Sequence, residues 1–188
     1  LRGFAVKDPR VGKTAVSEKI EKSESGDSIK MADRKKESAV ISSQEQIADG
    51  IFSMWLQTEA AKTACPGQFI SMYTNDGSKL LPRPISICEI DREKGELRVV
   101  YRVTGEDTGT KQFSEMKAGD TVPVIGPLGN GFPLDRGKGK TAFLMGGGIG
   151  VPPILELAKQ LDADRQIVVG YRDEHTFLRE EFEQNGNV

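Results

Sequence analysis

The chain has little of what metal, disulfide or polyanion chemistry requires. Its 188 residues hold two cysteines, Cys65 and Cys88, and one histidine, His175. Two thiols cannot build a disulfide scaffold or complete a four-thiolate cluster, and so low a count fits a reducing cytoplasm. A single imidazole excludes a multi-histidine metal centre, so no metal ligands are expected. Neither sign of charge prevails, with 26 basic and 28 acidic residues for a net of −2. Nothing therefore marks a binder of nucleic acid or of another polyanion. No apolar run approaches the ~20 residues of a membrane helix. The first residues also lack the charged-then-apolar order of a secretory signal.

What is present changes character along the chain. Residues 1–36 are polar and charged, and the run from Ser17 to Lys36 offers only Ile20, Ile29 and Met31 as large apolar side chains. Such a segment buries too little surface to offset its ordering entropy. A disordered or non-native extension is expected there, with the C-terminus at Val188 cut short. From Ser38 onward, short apolar runs alternate with turn signals. Ala39–Ile41 and Ile51–Leu56 flank Asp49-Gly50, Gln68–Tyr73 follows Pro66-Gly67, and further runs cover 83–90, 96–103 and 121–125. Five or six strands at short, even spacing read as an antiparallel barrel or sandwich over residues 37–134. A short helix is expected from Lys111 to Met116, with Thr110 as its N-cap.

Residues 135–140 form a polar, glycine-rich linker. Beyond it the order becomes strand, glycine turn, helix, strand. Ala142–Met145 is a continuous apolar run, as in a buried parallel strand, and Gly146–Gly150 ends it. Pro152 or Pro153 suits the first turn of a helix, with Ile154, Leu157, Ala158 and Leu161 on one face. Ile167–Tyr171 reads as a second parallel strand and Thr176–Gln184 as a further helix. Residues 141–188 thus read as part of an open, Rossmann-like α/β nucleotide-binding domain.

Two stretches carry chemistry. Arg83-Pro84-Ile85-Ser86 joins a planar, permanent cation to a hydroxyl across a residue that cannot donate to a strand ladder. Pro84 holds Arg83 extended, and strand alternation puts Arg83 and Ser86 on opposite faces unless the backbone kinks. Such a strand suits a long ligand with phosphate at one end and a polar ring at the other. An Arg-Pro strand end with no ligand is the plain alternative. The glycine run Gly146, Gly147, Gly148, Gly150 sits between a strand and a helix, the context of a dinucleotide-phosphate loop. A tight turn without ligand is its alternative. Tyr101 is either a ligand-packing or a core aromatic. His175 reads as a solvated or capping residue.

In order, Arg83–Ser86, Tyr101-Arg102-Val103, Gly109-Thr110, Gly126–Phe132 and Gly146–Pro153 resemble the ferredoxin-reductase superfamily of flavoproteins. More narrowly, they are similar to the electron-transfer subunit family (PyrK) of NAD-linked dihydroorotate dehydrogenase, over roughly residues 36–188. Pro84-Ile85 fills the slot where much of the superfamily carries an aromatic, and Gly105–Thr110 is about two residues longer than the family's usual form. The resemblance implies a six-stranded FAD-binding barrel followed by a partial NAD-binding α/β domain. It implies FAD contacts from Arg83, Pro84, Ile85, Ser86, Val100, Tyr101, Arg102, Gly109 and Thr110, and NAD docking at Gly146–Gly150, with Arg172 and Asp173 near the adenosine half. It also implies a partner, an FMN-containing dihydroorotate dehydrogenase catalytic subunit in a heterotetramer, and a [2Fe-2S] cluster whose ligands this chain lacks. Cofactors carry the redox chemistry, so no catalytic side chain is expected. A related NAD(P)H:ferredoxin or sulfide-dehydrogenase reductase subunit and a non-catalytic barrel module are the competing readings.

Overall fold

In the computed structural model, residues 36–188 are described. The N-terminal extension expected over residues 1–36 lies, apart from Lys36, outside them. Six antiparallel strands close into a barrel in the order β1-β2-β5-β4-β3-β6. They are β1 (Lys36–Ala48), β2 (Ile51–Gln57), β3 (Phe69–Met72), β4 (Arg83–Asp91), β5 (Glu96–Arg102) and β6 (Thr121–Leu128). Each apolar run of the first part of the sequence becomes one strand, and the turn at Asp49-Gly50 joins β1 to β2.

Alternation explains the barrel interior. Met54 and Leu56 of β2, Leu97, Val99 and Tyr101 of β5, and Val122 and Val124 of β6 point into one buried cluster. Residues between them face outward. On β5 the outward Arg98 and Val100 are buried as well, because the second part of the chain packs over that side. Barrel and α/β segment belong to one compact unit. Their shared cluster joins Ile51, Cys88 and Val100 to Leu144, Ile154, Leu155, Ala158 and Phe182.

That second part holds two parallel strands, β7 (Thr141–Gly147) and β8 (Asp164–Gly170), in full register. The linker stretch opens on a 3₁₀ turn, Leu134–Gly137. Another 3₁₀ turn, Pro152–Ile154, leads into a helix over Leu155–Gln160, here α2 because α1 (Gly109–Glu115) precedes it in the barrel part. Helix α3 covers only Arg179–Glu183, shorter than the expected Thr176–Gln184. Leu178 stands just before it in the left-handed region, φ 62°, and Phe177 and Leu178 are pinned in the shared cluster, so no helical turn forms earlier. The β7 expectation also needs correction. Leu144 is buried, but Phe143 and Met145 are 66% and 68% exposed. Among the described residues, packing covers only one face of this two-stranded sheet.

Candidate functional site

The site grows from a divergence of strands. Along Arg83–Ser86, β4 pairs with β3, but it pairs with β5 only from Ile87 onward. On β5, Val100–Arg102 pair with β2 on the far side. The facing edges of 83–86 and 100–102 therefore share no ladder, and main-chain donors and acceptors are left free along the gap. Pro84 removes one donor that would otherwise need a partner there. A cavity of about 370 Å³ opens at this gap, lined by both runs together with Thr104, Thr110 and Ile149. Arg83 and Ile85 are half-buried, whereas Pro84 and Ser86 are exposed, so the alternation holds. Arg83 and Ser86 still line one cavity because it opens on the strand's edge rather than on a face.

Arg83 is held from two sides. Its Nη1 donates to the Leu81 carbonyl, and its guanidinium fills the space above Gly109. A Cβ at Gly109 would stand 2.6 Å from Arg83 Nε and 2.7 Å from Cζ. The cation and the start of α1 are thus contiguous only because residue 109 is glycine. The N-cap of α1 is Thr108, not Thr110: the Thr108 hydroxyl accepts from the Lys111 N–H at 3.2 Å. Thr110 is the second residue of the helix, and its Oγ1 accepts from the Thr104 N–H at 3.2 Å, tying down the loop before the helix.

Tyr101 resolves to the core aromatic. Its ring stacks on Phe52 with centroids 5.9 Å apart and meets Phe113 edge-on at 6.2 Å. Its hydroxyl donates to Gln44 Oε1 at 2.8 Å. Burial pushes the phenol well above its ordinary range. The ring belongs to the barrel interior, and the main chain of Tyr101 lies along the unpaired edge of β5.

The glycine run folds back on itself. Gly148 has φ +52°, and a Cβ on Gly146 would stand 2.9 Å from the Gly150 carbonyl and 3.0 Å from Val151 Cα. Only backbone without a side chain at 146 permits so tight a return. Ile149, at its tip, reaches the first cavity. Gly148 lines a second cavity of about 560 Å³ with Arg102, Tyr171, Arg172 and His175, closed on the barrel side by the β1–β2 turn. Arg102 lines both cavities, and its Nη2 stands 3.8 Å from a Cβ built on Gly148. Gly146, Gly147 and Gly150 shape the turn without lining either space.

Several lining residues carry no pattern of their own in the sequence. Thr104 and the turn at Asp49-Gly50 become visible only once β1, β2 and β5 are assembled; Ile149 could have been read from its place inside the glycine run. His175 lies at the rim with its Nδ1 3.1 Å from Asp173, and the His175 backbone N–H holds the Asp173 carboxyl below its ordinary value. Of the cysteines, Cys65 is half-buried and Cys88 buried; burial pushes the Cys88 thiol up, out of reach of thiolate chemistry. Among the described residues no group of three or more His, Cys, Asp or Glu is arranged to hold a metal ion.

The family model for the oxidoreductase FAD-binding domain matches residues 38–132. The dihydroorotate dehydrogenase B (NAD(+)) electron transfer subunit of Streptococcus mutans is 43% identical over 150 residues, covering 78% of this chain and 57% of that protein. Its counterpart from Lysinibacillus sphaericus is 45% identical over 153 residues, covering 78% and 58%. The chain thus spans under two thirds of the length of these relatives. Among solved structures, an NADH-dependent reduced ferredoxin-NADP oxidoreductase superposes with TM-score 0.71 at 29% identity, covering 79% of this chain and 54% of that one. Phthalate dioxygenase reductase gives 0.63 at 27% identity, covering 81% and 50%.

Proposed function

The chain belongs to the oxidoreductase FAD-binding domain family, in the dihydroorotate dehydrogenase B electron-transfer subunit group, and from that premise we propose that it carries electrons from dihydroorotate oxidation to NAD+ through an FAD held in the β4–β5 gap. The observation that carries this reading is the gap itself, with the Arg83 guanidinium seated on Gly109 at one end and the Ser86 hydroxyl exposed on the same edge. The donor set fits a flavin dinucleotide. Arg83 offers phosphate a charged, forked donor. Ser86 and the free main-chain edges of 83–86 and 100–102 offer hydrogen bonds to a polar ring, and Pro84 and Ile149 offer it apolar walls.

Bound there, FAD would supply the redox step, exchanging hydride with NAD(H) and electrons with an iron–sulfur donor. The protein's own part is to bind, orient and exclude water. At the glycine turn Gly148 lines the larger cavity and lets main chain approach the NAD pyrophosphate, and Arg102 stands between the two cavities to hold both ligands in register. Arg172 lines the larger cavity and suits the adenosine half. No side chain is assigned as an acid or a base.

The electron donor of this reading is an FMN-containing catalytic subunit, assembled with this chain as a heterotetramer in the cytoplasm. Two cysteines cannot ligate a [2Fe-2S] cluster, so the cluster is assigned to a part of the complex outside this sequence. No helix among the described residues is long and apolar enough to cross a membrane. A second reading, an NAD(P)H:ferredoxin-type reductase subunit, draws on the structural likeness to the NADH-dependent ferredoxin-NADP oxidoreductase. Co-purification with a dihydroorotate-oxidising FMN protein separates the two.

The direct test is a flavin spectrum. Protein incubated with FAD and desalted is expected to retain the flavin absorbance. Arg83→Ala is expected to lower FAD affinity about tenfold or more, since a hydrogen bond to a charged group contributes about 1.5–3 kcal/mol. A folded protein that takes up no FAD would instead be a barrel used only as a binding surface.

A further inference from the structure

The pairing of β4 with β5 slips by one residue. Ile87 faces Val99 and Glu89 faces Arg98, which leaves Cys88 as the extra residue of a β-bulge. Along a regular strand, Cys88 and Glu89 would face opposite ways. Here Ile87 and Ile90 pack in the barrel interior, whereas Cys88 lies in the cluster shared with the α/β segment and Glu89 meets the outward Arg98. Re-aiming a side chain is what a bulge does.

The carboxylate so aimed is the centre of a bridge between the two parts of the fold. Glu89 Oε2 accepts from Arg98 Nη1 at 2.5 Å, and Oε1 accepts from Lys159 Nζ on α2. Arg98 also donates to Ser53 Oγ at 2.8 Å and approaches Glu181 of α3 at 3.4 Å. Beside them Glu156 of α2 accepts from the Ile90 N–H at 2.9 Å. Glu89, Arg98 and Glu156 are 7%, 8% and 4% exposed. Buried ion pairs of this kind are a poor source of stability, because apolar side chains of similar volume often do as well or better. What such a bridge offers instead is direction, because charge-assisted hydrogen bonds from two elements converge on one carboxylate.

The position of the bridge gives that geometry a purpose. The bulge that aims Glu89 stands where β4 leaves β5 and the first cavity begins. The helix that brings Lys159 is the one that follows the glycine turn. We propose that the Cys88 bulge and the Glu89–Arg98–Lys159 bridge form a positioning strut, which sets the glycine turn against the β4–β5 cavity and thereby sets nicotinamide against flavin without binding either. The proposal rests on the FAD and NAD reading given above.

The test uses this chain with Lys159→Met, Glu89→Gln, their combination, and Lys159→Arg as the conservative control. Lys159 is 37% exposed at its side chain, so Lys159→Met removes one end of the strut while leaving the Glu89–Arg98 pair in place. FAD affinity is expected to stay within about twofold of wild type. The rate of flavin reduction at saturating NADH is expected to fall about tenfold, since small misplacements of reacting groups cost up to about 10² in rate. The NADH concentration for half-maximal rate should change far less. Lys159→Arg should restore the rate, and the double variant should be little worse than either single one. In protein without FAD, amide hydrogen exchange should rise across residues 155–160 while β4 and β5 stay protected. Variants that lose thermal stability yet reduce bound flavin at the wild-type rate would overturn the strut and leave the proposed function standing. A wild-type protein that takes up FAD but is not reduced by NADH would overturn both.

Discussion

At Gly109 there is no room for a side chain, because the Arg83 guanidinium already occupies it. The atoms in the way are the far end of a flexible side chain, so Gly109→Ala should displace the cation rather than unfold the barrel. FAD affinity is expected to fall about tenfold, the scale of one charge-assisted hydrogen bond, with the thermal midpoint nearly unchanged. Flavin titration beside a melting curve checks both halves. Tyr101 gives the converse case. Its hydroxyl serves Gln44, whose amide donates to the Phe113 and Met116 carbonyls at the end of α1. Tyr101→Phe should therefore cost about 1 kcal/mol in chemical denaturation and leave FAD affinity where it was. A large loss of flavin binding in that variant would put the ring back at the ligand.

Elements carry information that single residues do not, and this decides what was legible beforehand. The six barrel strands follow from apolar runs and turn residues because both are local signals. The gap between β4 and β5 follows only in part: Pro84, which cannot donate to a ladder, marks an edge near it, but register is a property of two distant stretches, and the sequence marks neither the slip at Cys88 nor Ile87 as the point where pairing begins. The capping residue of α1 shows how finely a local signal can mislead. Thr108-Gly109-Thr110 offers two hydroxyls in cap-like positions, and the loop from Gly105 selects the earlier one. Thr108→Ala should destabilise the protein by about 1 kcal/mol, the usual effect of losing an N-cap, and loosen the helix start beside Arg83. The β3–β4 loop is tied to the same helix through Asp76, which accepts from Gln112 at 2.9 Å and from the Ser78 N–H at 2.8 Å. The Ser78 backbone bond, more than any other contact, lowers the Asp76 carboxyl from 3.8 to about 2. Because the folded value is the lower one, the stabilisation is complete above pH 3.8 and is lost as pH falls through about 2. Asp76→Asn should accordingly flatten the acid limb of a denaturation-midpoint profile over that interval and leave the neutral limb parallel to wild type.

Across the whole molecule, the question is whether barrel and α/β segment melt as one. The sequence separates them by composition, with a polar stretch at 135–140 between two kinds of apolar pattern, and it says nothing about their contact. The fold joins them: Leu155 on α2, fully buried, packs in one cluster with Ile51 of β2 and Val100 of β5. A buried core shared across the junction makes separate unfolding costly on both sides, since either part alone would expose the apolar surface that the other covers. The single tryptophan, Trp55, lies on β2 and so reports the barrel. Leu155→Ala changes only a side chain of the α/β side, at a cost of about 2–5 kcal/mol. If the unit is cooperative, the Trp55 emission transition should move down by several degrees together with the far-UV signal, and the two curves should coincide. A Trp55 transition that stays at its wild-type temperature, while the far-UV signal splits in two, would mean that the barrel folds independently and that the glycine turn is carried on a separable part.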